Sequence, residues 1–238
     1  MIGGGGGFFF LPILTILIGV PAQTAVITSL VATLPICLVG SYGHYRRNNI
    51  DFRIASLFAC AGIVGAFIGA GITSLISANL LKVSFGIYSI AIALNVGFNS
   101  WKDKRATATA EELKLKSRTK TLMGSFYGFF AGIITGTFGT SGTAPVLAGL
   151  FSLRIPVKMV IGTSMLVVLI NSIFAIGAHF LVGQIDLTLV CFLTAGTTIG
   201  AFLGPKILAN INTDQSEHKV KFGYAAVMLV IGILMIIA

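Results

Sequence analysis

Long apolar stretches constrain this chain more than any other feature of its sequence. A transmembrane helix needs about 20 mostly apolar residues, and seven stretches reach or approach that length: 22–42, 54–75, 84–100, 121–138, 159–182, 187–208 and 222–238. Only 10% of the residues are charged, whereas a soluble domain carries about a quarter. Because so few charges cannot cover a surface that faces water, the sequence predicts an all-α polytopic membrane protein.

The positive charges cluster, and their positions indicate what they do. The formal net charge is +9, and seven of the 16 Lys and Arg residues lie between Lys102 and Lys120. Most of the others lie at the ends of apolar stretches, which is the pattern of cytoplasmic loops in membrane proteins. We therefore expect a multi-pass protein of the cytoplasmic membrane and no nucleic-acid partner.

An internal repeat appears when the sequence is shifted by 135 residues. Shared Pro, Thr-Ser, His and Asp residues at one offset are not expected by chance among apolar segments. The matched pairs include Gly4 with Gly139, Pro21 with Pro156, Thr28-Ser29 with Thr163-Ser164, His44 with His179, and Ile50-Asp51 with Ile185-Asp186. The sequence thus predicts a first transmembrane repeat over 1–100, a basic connector over 101–120 and a second repeat over 121–238.

Equivalent loops of the two repeats differ in charge. Turn 43–53 contains three Arg residues, whereas its equivalent, 178–188, contains neither Lys nor Arg. The asymmetry predicts inverted-topology repeats, an architecture of secondary transporters. Each repeat would hold three transmembrane helices and a Gly-tipped re-entrant hairpin, with the connector cytoplasmic and the C-terminus outside. The first hairpin lacks a counterpart of 121–135, so we expect an apolar arm upstream of Met1.

The two Gly-rich tips, Ile2–Gly7 and Gly136–Gly142, are candidate binding elements. Irregular backbone at membrane depth is tolerated inside protein or beside a watery cavity. A broken helix offers free N–H groups and a positive dipole end, which suit an anion. The alternative is close helix packing through small residues, which the i, i+4 spacing favours for Gly65, Gly69, Gly200 and Gly204.

Hydroxyl and amide side chains near the tips extend the candidate site. The hydroxyls of the two Thr-Ser pairs can donate to a ligand or to carbonyls of their own helices, and both readings stay open. The Asn171 amide either holds neighbouring helices together or lines the binding site. We expect one anion near the bilayer centre, bound by residues from Gly4, Gly5, Gly6, Gly7, Thr28, Ser29, Gly139, Thr140, Ser141, Gly142, Thr163, Ser164 and Asn171.

Other polar residues are predicted to have structural roles. His44 and His179 lie near helix ends, where interfacial anchoring or capping is expected, and Asp51 and Asp186 are predicted N-caps. No carboxylate lies at the centre of an apolar stretch, which argues against a cation site. The sequence shows no nucleotide-binding, metal-binding or hydrolase motif, so we expect no cofactor, no metal and no enzyme activity.

The duplicated motifs resemble the TauE/SafE sulfite exporter family over nearly the whole chain. The matching segments are Gly5-Gly6-Gly7-Phe8-Phe9-Phe10-Leu11-Pro12, Val20-Pro21, Ala25, Thr28-Ser29, Asn49-Ile50-Asp51, Gly139-Thr140-Ser141-Gly142-Thr143-Ala144-Pro145, Ile155-Pro156, Ile161-Gly162-Thr163-Ser164, His179 and Gly183-Gln184-Ile185-Asp186.

This resemblance implies a permease for sulfite, a sulfonate or a related organosulfur anion, working by alternating access. Its partners would be that small anion and the lipid bilayer, and homo-oligomerisation stays open. A non-transporting membrane scaffold or assembly factor is the alternative, followed by an intramembrane enzyme.

Overall fold

The computed structural model describes residues 7–103, 117–140, 142–153, 155–180, 188–196 and 217–237. Within these ranges all regular secondary structure is helical. Segment α1 joins short 3-10, α and π turns over Gly7–Leu17. The helices that follow are α2 (Ala22–Tyr45), α3 (Phe52–Leu75), α4 (Ala78–Asp103), α5 (Ser117–Phe138), α6 (Thr143–Ser152), α7 (Val157–Phe180), α8 (188–196) and α9 (Glu217–Ile237).

Five of the described helices are long and apolar enough to cross a membrane. They are Ala22–Tyr45, Phe52–Leu75, Ala78–Val96, Thr121–Phe138 and Val157–Phe180. These spans coincide with the first five apolar stretches, so the prediction of a polytopic helical membrane protein is confirmed. Stretch 187–208 lies largely outside the described residues, and α9 covers 222–237 of the last stretch.

Helix boundaries follow the 135-residue offset of the sequence repeat. Helices α2 and α7 begin and end at equivalent positions, and α1 and α6 do so to within one residue. The equivalent helices α2 and α7 run antiparallel, because Gly40 of α2 faces Met165 and His44 faces Gly162. The sequence correspondence therefore extends to the lengths and limits of these helices.

The chain forms two compact units that combine helices from both repeats. The first unit comprises Met1–Ala78 and Lys114–Thr198, and it contains α2, α3 and α5 to α7. The second comprises Asn79–Leu113 and Ile199–Ala238, in which α4 and α9 make backbone contact through Gly86 and Gly232. The repeat limits 1–100 and 121–238 remain a prediction from sequence.

Glycines bring α3 and α5 into backbone contact. A Cβ atom on Gly128 would overlap the carbonyl of Phe58, and one on Gly132 would overlap the carbonyl of Gly62. Residue numbers increase in the same direction along both helices at these contacts, so α3 and α5 run parallel. Gly65 and Gly69 meet α5 backbone in the same way, which confirms their predicted packing role. Gly200 and Gly204 lie outside the described residues.

The first unit has two distinct ends. At one end the α2–α3 turn meets the start of α7, since the Asp51 N–H donates to Thr163 Oγ1 at 3.0 Å. At the other end Gln23 Nε2 donates to the Ile76 carbonyl at 3.2 Å. Helix α3 joins these ends with 24 residues, about 36 Å of helix, which exceeds the hydrocarbon thickness of about 30 Å.

Candidate anion site

The chain reverses direction between α5 and α6. Gly139 and Gly142 adopt positive φ angles of 64° and 52°, a region that glycine occupies without a steric cost. Gly142 then lies beside Ala131 and Thr135, and Gly149 lies beside Tyr127. Helix α6 therefore runs back antiparallel along α5. Ser141, at the centre of the predicted tip, lies outside the described residues, as do Gly4, Gly5 and Gly6.

The tip packs directly on the first part of α2. A Cβ atom on Gly139 would overlap the carbonyl oxygen of Val26, so close approach and positive φ both require glycine there. Val26 is two residues before Thr28. Gly139 thus lies against the part of α2 that carries the first Thr-Ser pair. Gly7 is buried at the start of α1.

Side chains from two other helices satisfy carbonyl groups at the end of α5. The His179 Nε2 atom lies 2.6 Å from the Gly136 carbonyl oxygen, which requires a protonated Nε2 because a carbonyl only accepts. The Thr73 hydroxyl lies 2.9 Å from the Thr137 carbonyl oxygen and 3.3 Å from that of Gly136. The last carbonyls of a helix lack partners within it, so α3 and α7 supply them.

In the described part of the chain, His179 is neither the interfacial anchor nor the helix cap that the sequence predicts. An interfacial anchor would be exposed at the end of α7, yet this side chain is only 3% exposed. It binds the backbone of another helix. Asp51, in contrast, is an N-cap as predicted, because its Oδ1 accepts from the N–H groups of Arg53 and Ile54 at 3.0 Å. Asp186 lies outside the described residues.

Helix α6 begins at the tip with its positive end near the reversal. Gly142 precedes it and has no side chain that could cap its first N–H groups. Partial positive charge at a helix N-terminus favours an anion. Thr140, two residues earlier, is 2% exposed, and its hydroxyl has no hydrogen-bond partner within the described residues. The tip therefore combines a helix N-terminus with an available buried donor.

Thr28 and Ser29 use their hydroxyl protons within α2. Their oxygens lie 2.7 and 2.6 Å from the carbonyls of Thr24 and Ala25, one turn earlier. Both side chains are fully buried. The sequence left open whether these hydroxyls donate to a ligand or to carbonyls of their own helix. In this structure they donate within the helix.

Thr163 and Ser164 lie far from the tip between α5 and α6. Thr163 contacts Asp51, at the opposite end of α3 from Gly69 and Thr73, which contact the tip region. Along α7, Thr163 and His179 are 16 residues apart, about 24 Å. The expected meeting of this pair with Gly139–Gly142 is therefore not found. Its hydroxyls serve a local turn instead, with Ser164 Oγ donating to the Ile161 carbonyl at 2.8 Å.

The middle of α7 carries buried polar atoms without partners. Both amide atoms of Asn171 and the Ser172 hydroxyl lack hydrogen bonds within the described residues. Asn171 is 1% exposed and packs on Gly62 at the middle of α3. An unpaired buried polar group costs about 1–3 kcal/mol, and water is absent from a bilayer core. These atoms therefore mark a place where a polar ligand would be stabilised.

The candidates predicted from the sequence include Thr140 and Asn171 but leave out three other polar residues of this region. Thr73 and His179 contact the end of α5, and Ser172 is unpartnered beside Asn171. The match of His179 with His44 in the repeat was a signal that could have marked it. Within the part of the chain that the structure describes, no cluster of His, Cys, Asp or Glu could hold a metal ion.

Comparison with known proteins agrees with this architecture. The family model described as "Sulfite exporter TauE/SafE" matches residues 1–235. The probable membrane transporter protein YdhB of Bacillus subtilis is 32% identical over 86% of this chain and 82% of its own length. Two others are 24% identical: YunE of Bacillus subtilis, over 98% of this chain and 90% of its own length, and MJ0441 of Methanocaldococcus jannaschii, over 100% and 90%.

No solved structure matches the chain. The family match covers nearly every residue, and it includes both Gly-rich tips and both Thr-Ser pairs. Together with the five apolar spans, it shows that this chain belongs to the TauE/SafE sulfite exporter family of membrane transporters.

Proposed function

We propose that this protein is a secondary permease that carries sulfite, a sulfonate or a related organosulfur anion across the cytoplasmic membrane by alternating access. The observation that carries the proposal is the set of buried, unpartnered polar groups on Thr140, Asn171 and Ser172. Each of them can donate a hydrogen bond to an oxyanion. The description of the matching family as a sulfite exporter supports the sulfur chemistry.

The composition of the spans supports an anionic substrate. The five apolar spans have no Asp or Glu, so a cation would find no carboxylate partner at depth. The Thr140 hydroxyl beside the N-terminus of α6 and the buried Asn171 amide favour negative charge instead. A bound oxyanion would supply the acceptors that these donors lack.

The proposed mechanism uses inverted repeats and re-entrant hairpins. Antiparallel packing of the equivalent helices α2 and α7 supports the inversion. The ten residues of α6 rise about 15 Å, half the hydrocarbon thickness, which supports a hairpin that returns to the side it came from. Movement of one repeat against the other would expose the anion alternately to the two sides.

The substrate contacts divide between the two tips in this proposal. Gly139, Thr140, Ser141 and Gly142 would bind together with α2 near Thr28 and Ser29. The 135-residue correspondence pairs Gly139 with Gly4 and Val26 with Ile161, so symmetry assigns Thr163 and Ser164 to the first tip, Gly4–Gly7. Asn171 and Ser172 would contact the anion between them. Two half-sites thus replace a single midplane cluster.

The orientation is also proposed from charge. Arg46, Arg47 and Arg53 lie at the same end of the first unit as Lys158 at the start of α7, which assigns that end and the connector to the cytoplasm. Single Cys probes at Thr107 and Gln184, in a Cys-less background, test this assignment. A membrane-impermeant reagent should label Gln184→Cys but not Thr107→Cys in intact cells, and labelling of both would contradict inversion.

Counterflow uptake in proteoliposomes tests the function itself. Vesicles preloaded with sulfite, taurine, a simple alkyl sulfonate, sulfate or chloride should accumulate labelled substrate only when the internal anion is a true substrate. We expect sulfite or a sulfonate to support uptake and chloride to fail. If no sulfur anion supports uptake and none raises the melting temperature of the purified protein, the permease proposal is wrong.

A bulky side chain at the tip should stop transport. Gly142→Leu places a side chain against Thr135 and Ala131 at a positive φ, and we expect loss of uptake in protein that remains monodisperse. Gly177→Leu is the matched control, because no atom lies within 4 Å of a Cβ at Gly177. Equal activity of the two variants would show that the tip does not approach the substrate.

A further inference from the structure

A groove of about 420 Å³ lies at the Arg-bearing end of the first unit, away from the tip between α5 and α6. Helix α2 contributes Leu38, Ser41, Tyr42 and Tyr45, whose i, i+3, i+4, i+7 spacing places them on one face. Helix α7 contributes Leu166 and Leu169. None of these residues belongs to the proposed transport site.

The walls of this groove face the surroundings of the bundle. Leu38 is 58% exposed and Tyr42 is 61% exposed, so the lining is open to lipid in a membrane. The rings of Tyr45 and Phe52 meet edge to face at 5.9 Å and close the groove toward the α2–α3 turn. Tyrosines at this depth are typical of the membrane interface, where one end of the ring is apolar and the other is wet.

One polar atom in the wall lacks a partner. Ser41 is 6% exposed, and its hydroxyl makes no hydrogen bond within the described residues. An occupant with an acceptor at this level would satisfy that donor. The ester oxygens of a glycerolipid lie at the boundary between acyl chains and headgroups, which is the level of an interfacial tyrosine belt.

Three arginines adjoin residues of the groove wall in the sequence. Arg46 and Arg47 follow Tyr45 directly, and Arg53 follows Phe52. All three are exposed, and none forms an ion pair with another described residue. The nearby Asp51 carboxylate is occupied by backbone N–H groups. The turn itself is ordered, with the Asn49 N–H donating to the His44 carbonyl at 3.0 Å, so the charges are held beside the groove.

We propose that this groove binds an anionic phospholipid. One acyl chain lies between α2 and α7, an ester oxygen accepts from Ser41, and the phosphate is bound by Arg46 and Arg47. We choose an anionic lipid over a zwitterionic one because of charge complementarity: three guanidinium groups without an ion pair to any described residue favour a net negative headgroup. The inference is independent of the transported substrate.

Native mass spectrometry of the purified full-length chain tests the headgroup. Phosphatidylglycerol and phosphatidylcholine with identical acyl chains are titrated in the same detergent, and phosphatidylglycerol should bind about tenfold or more tightly. Arg46→Gln/Arg47→Gln should weaken phosphatidylglycerol binding about 25-fold, since each interfacial Arg contributes roughly fivefold. Lys102→Gln/Lys104→Gln removes the same charge from the connector and should leave binding unchanged.

A second pair of variants tests the acyl chain. Leu38→Trp fills the groove and should reduce binding of both lipids, whereas Leu94→Trp on α4, where Leu94 is 62% exposed, should not. The proposal is overturned if the two lipids bind equally, or if the connector variant loses as much affinity as the Arg variant. It is also overturned if Leu38→Trp binds phosphatidylglycerol like the wild type.

Discussion

Two regions of the first unit differ in whether their buried polar groups have hydrogen-bond partners. One is the contact between α3 and α5, and the other is the middle of α7. Between α3 and α5 the backbones touch at Gly62 and Gly132, and hydroxyls bond across the contact, as Thr137 Oγ1 does to the Gly69 carbonyl at 3.3 Å. In the middle of α7, Asn171 and Ser172 are equally buried but have no partner within the described residues.

In the proposed mechanism the α3–α5 contact is structural scaffold, and the middle of α7 is part of the binding site. A backbone contact without side chains allows no adjustment, because protein interiors are close-packed and an added methylene is felt. Unpartnered amide and hydroxyl groups lower stability by themselves and gain most from a ligand that bonds to them. Substitutions in the first region should therefore change stability most, and those in the second should change anion affinity most.

The largest expected loss of stability comes from Gly132→Ala. The new methyl group would overlap the Gly62 carbonyl, and with two backbones in contact we expect a cost of about 3 kcal/mol, at the upper end for overpacking. Gly71→Ala, on α3 with nothing within 4 Å of its Cβ, should change stability by less than about 1 kcal/mol. Unfolding in mixed detergent measures both. Equal stability of the two variants would show that the close backbone contact between α3 and α5 does not limit the stability of the protein.

His179→Leu should have the next largest effect. Loss of the donor to the Gly136 carbonyl leaves a buried acceptor at the end of α5, at a cost of about 2 kcal/mol, although Thr73 also lies within reach of that oxygen. His44→Leu is the matched control, since the Nδ1 atom of His44 has no partner within the described residues. If both variants melt at the same temperature, His179 does not hold the tip.

Thr163→Val removes the acceptor for the Asp51 N–H at the far end of α7. We expect a destabilisation of about 1 kcal/mol, the typical net value of one hydrogen bond. Thr163→Ser should restore it. Substrate affinity at the tip between α5 and α6 should not change, because Thr163 is about 24 Å away along α7. A large loss of affinity at that tip with intact stability would contradict the division of the substrate contacts into two separate half-sites.

The smallest effect on stability is expected for Asn171→Ala. This change removes an amide that has no partner within the described residues. Relief of that unpaired group is offset by the packing lost with the side chain, so stability without substrate should shift by less than about 1 kcal/mol. Anion affinity should fall about tenfold or more, because a hydrogen bond to a charged group contributes about 1.5–3 kcal/mol. Binding is measured by anion-dependent melting of monodisperse protein. Unchanged affinity would show that α7 contributes only packing here.

Class, spans and helix limits were predictable because they depend on local composition. Apolar length defined α2, α3 and α7, and Gly with Thr in succession marked the break after α5. The Asp51 cap could be read from its place before an apolar run, since capping is a local interaction between a side chain and the N–H groups that follow.

The site could not be placed from spacing alone. Spacing gives the rise along one helix but not which helices touch, so Thr163 was expected beside Gly139 although its helix starts at the other end of the bundle. The bond from His179 to Gly136 joins residues 43 positions apart and depends on the crossing of α7 and α5. Such contacts are set by tertiary packing, and the repeat pattern only indicates that both histidines are retained.

The pairing of Gly62 with Gly132 has a consequence for synthesis. These residues are 70 positions apart, and a ribosome adds about 5–20 residues per second. Helix α3 thus emerges roughly 4–14 s before the helix that covers its glycine face, and it spends that interval in the bilayer or the insertion machinery without its partner. Helix α3 therefore leaves the ribosome well before it can pack against α5. Assembly of the first half must wait for translation of the second.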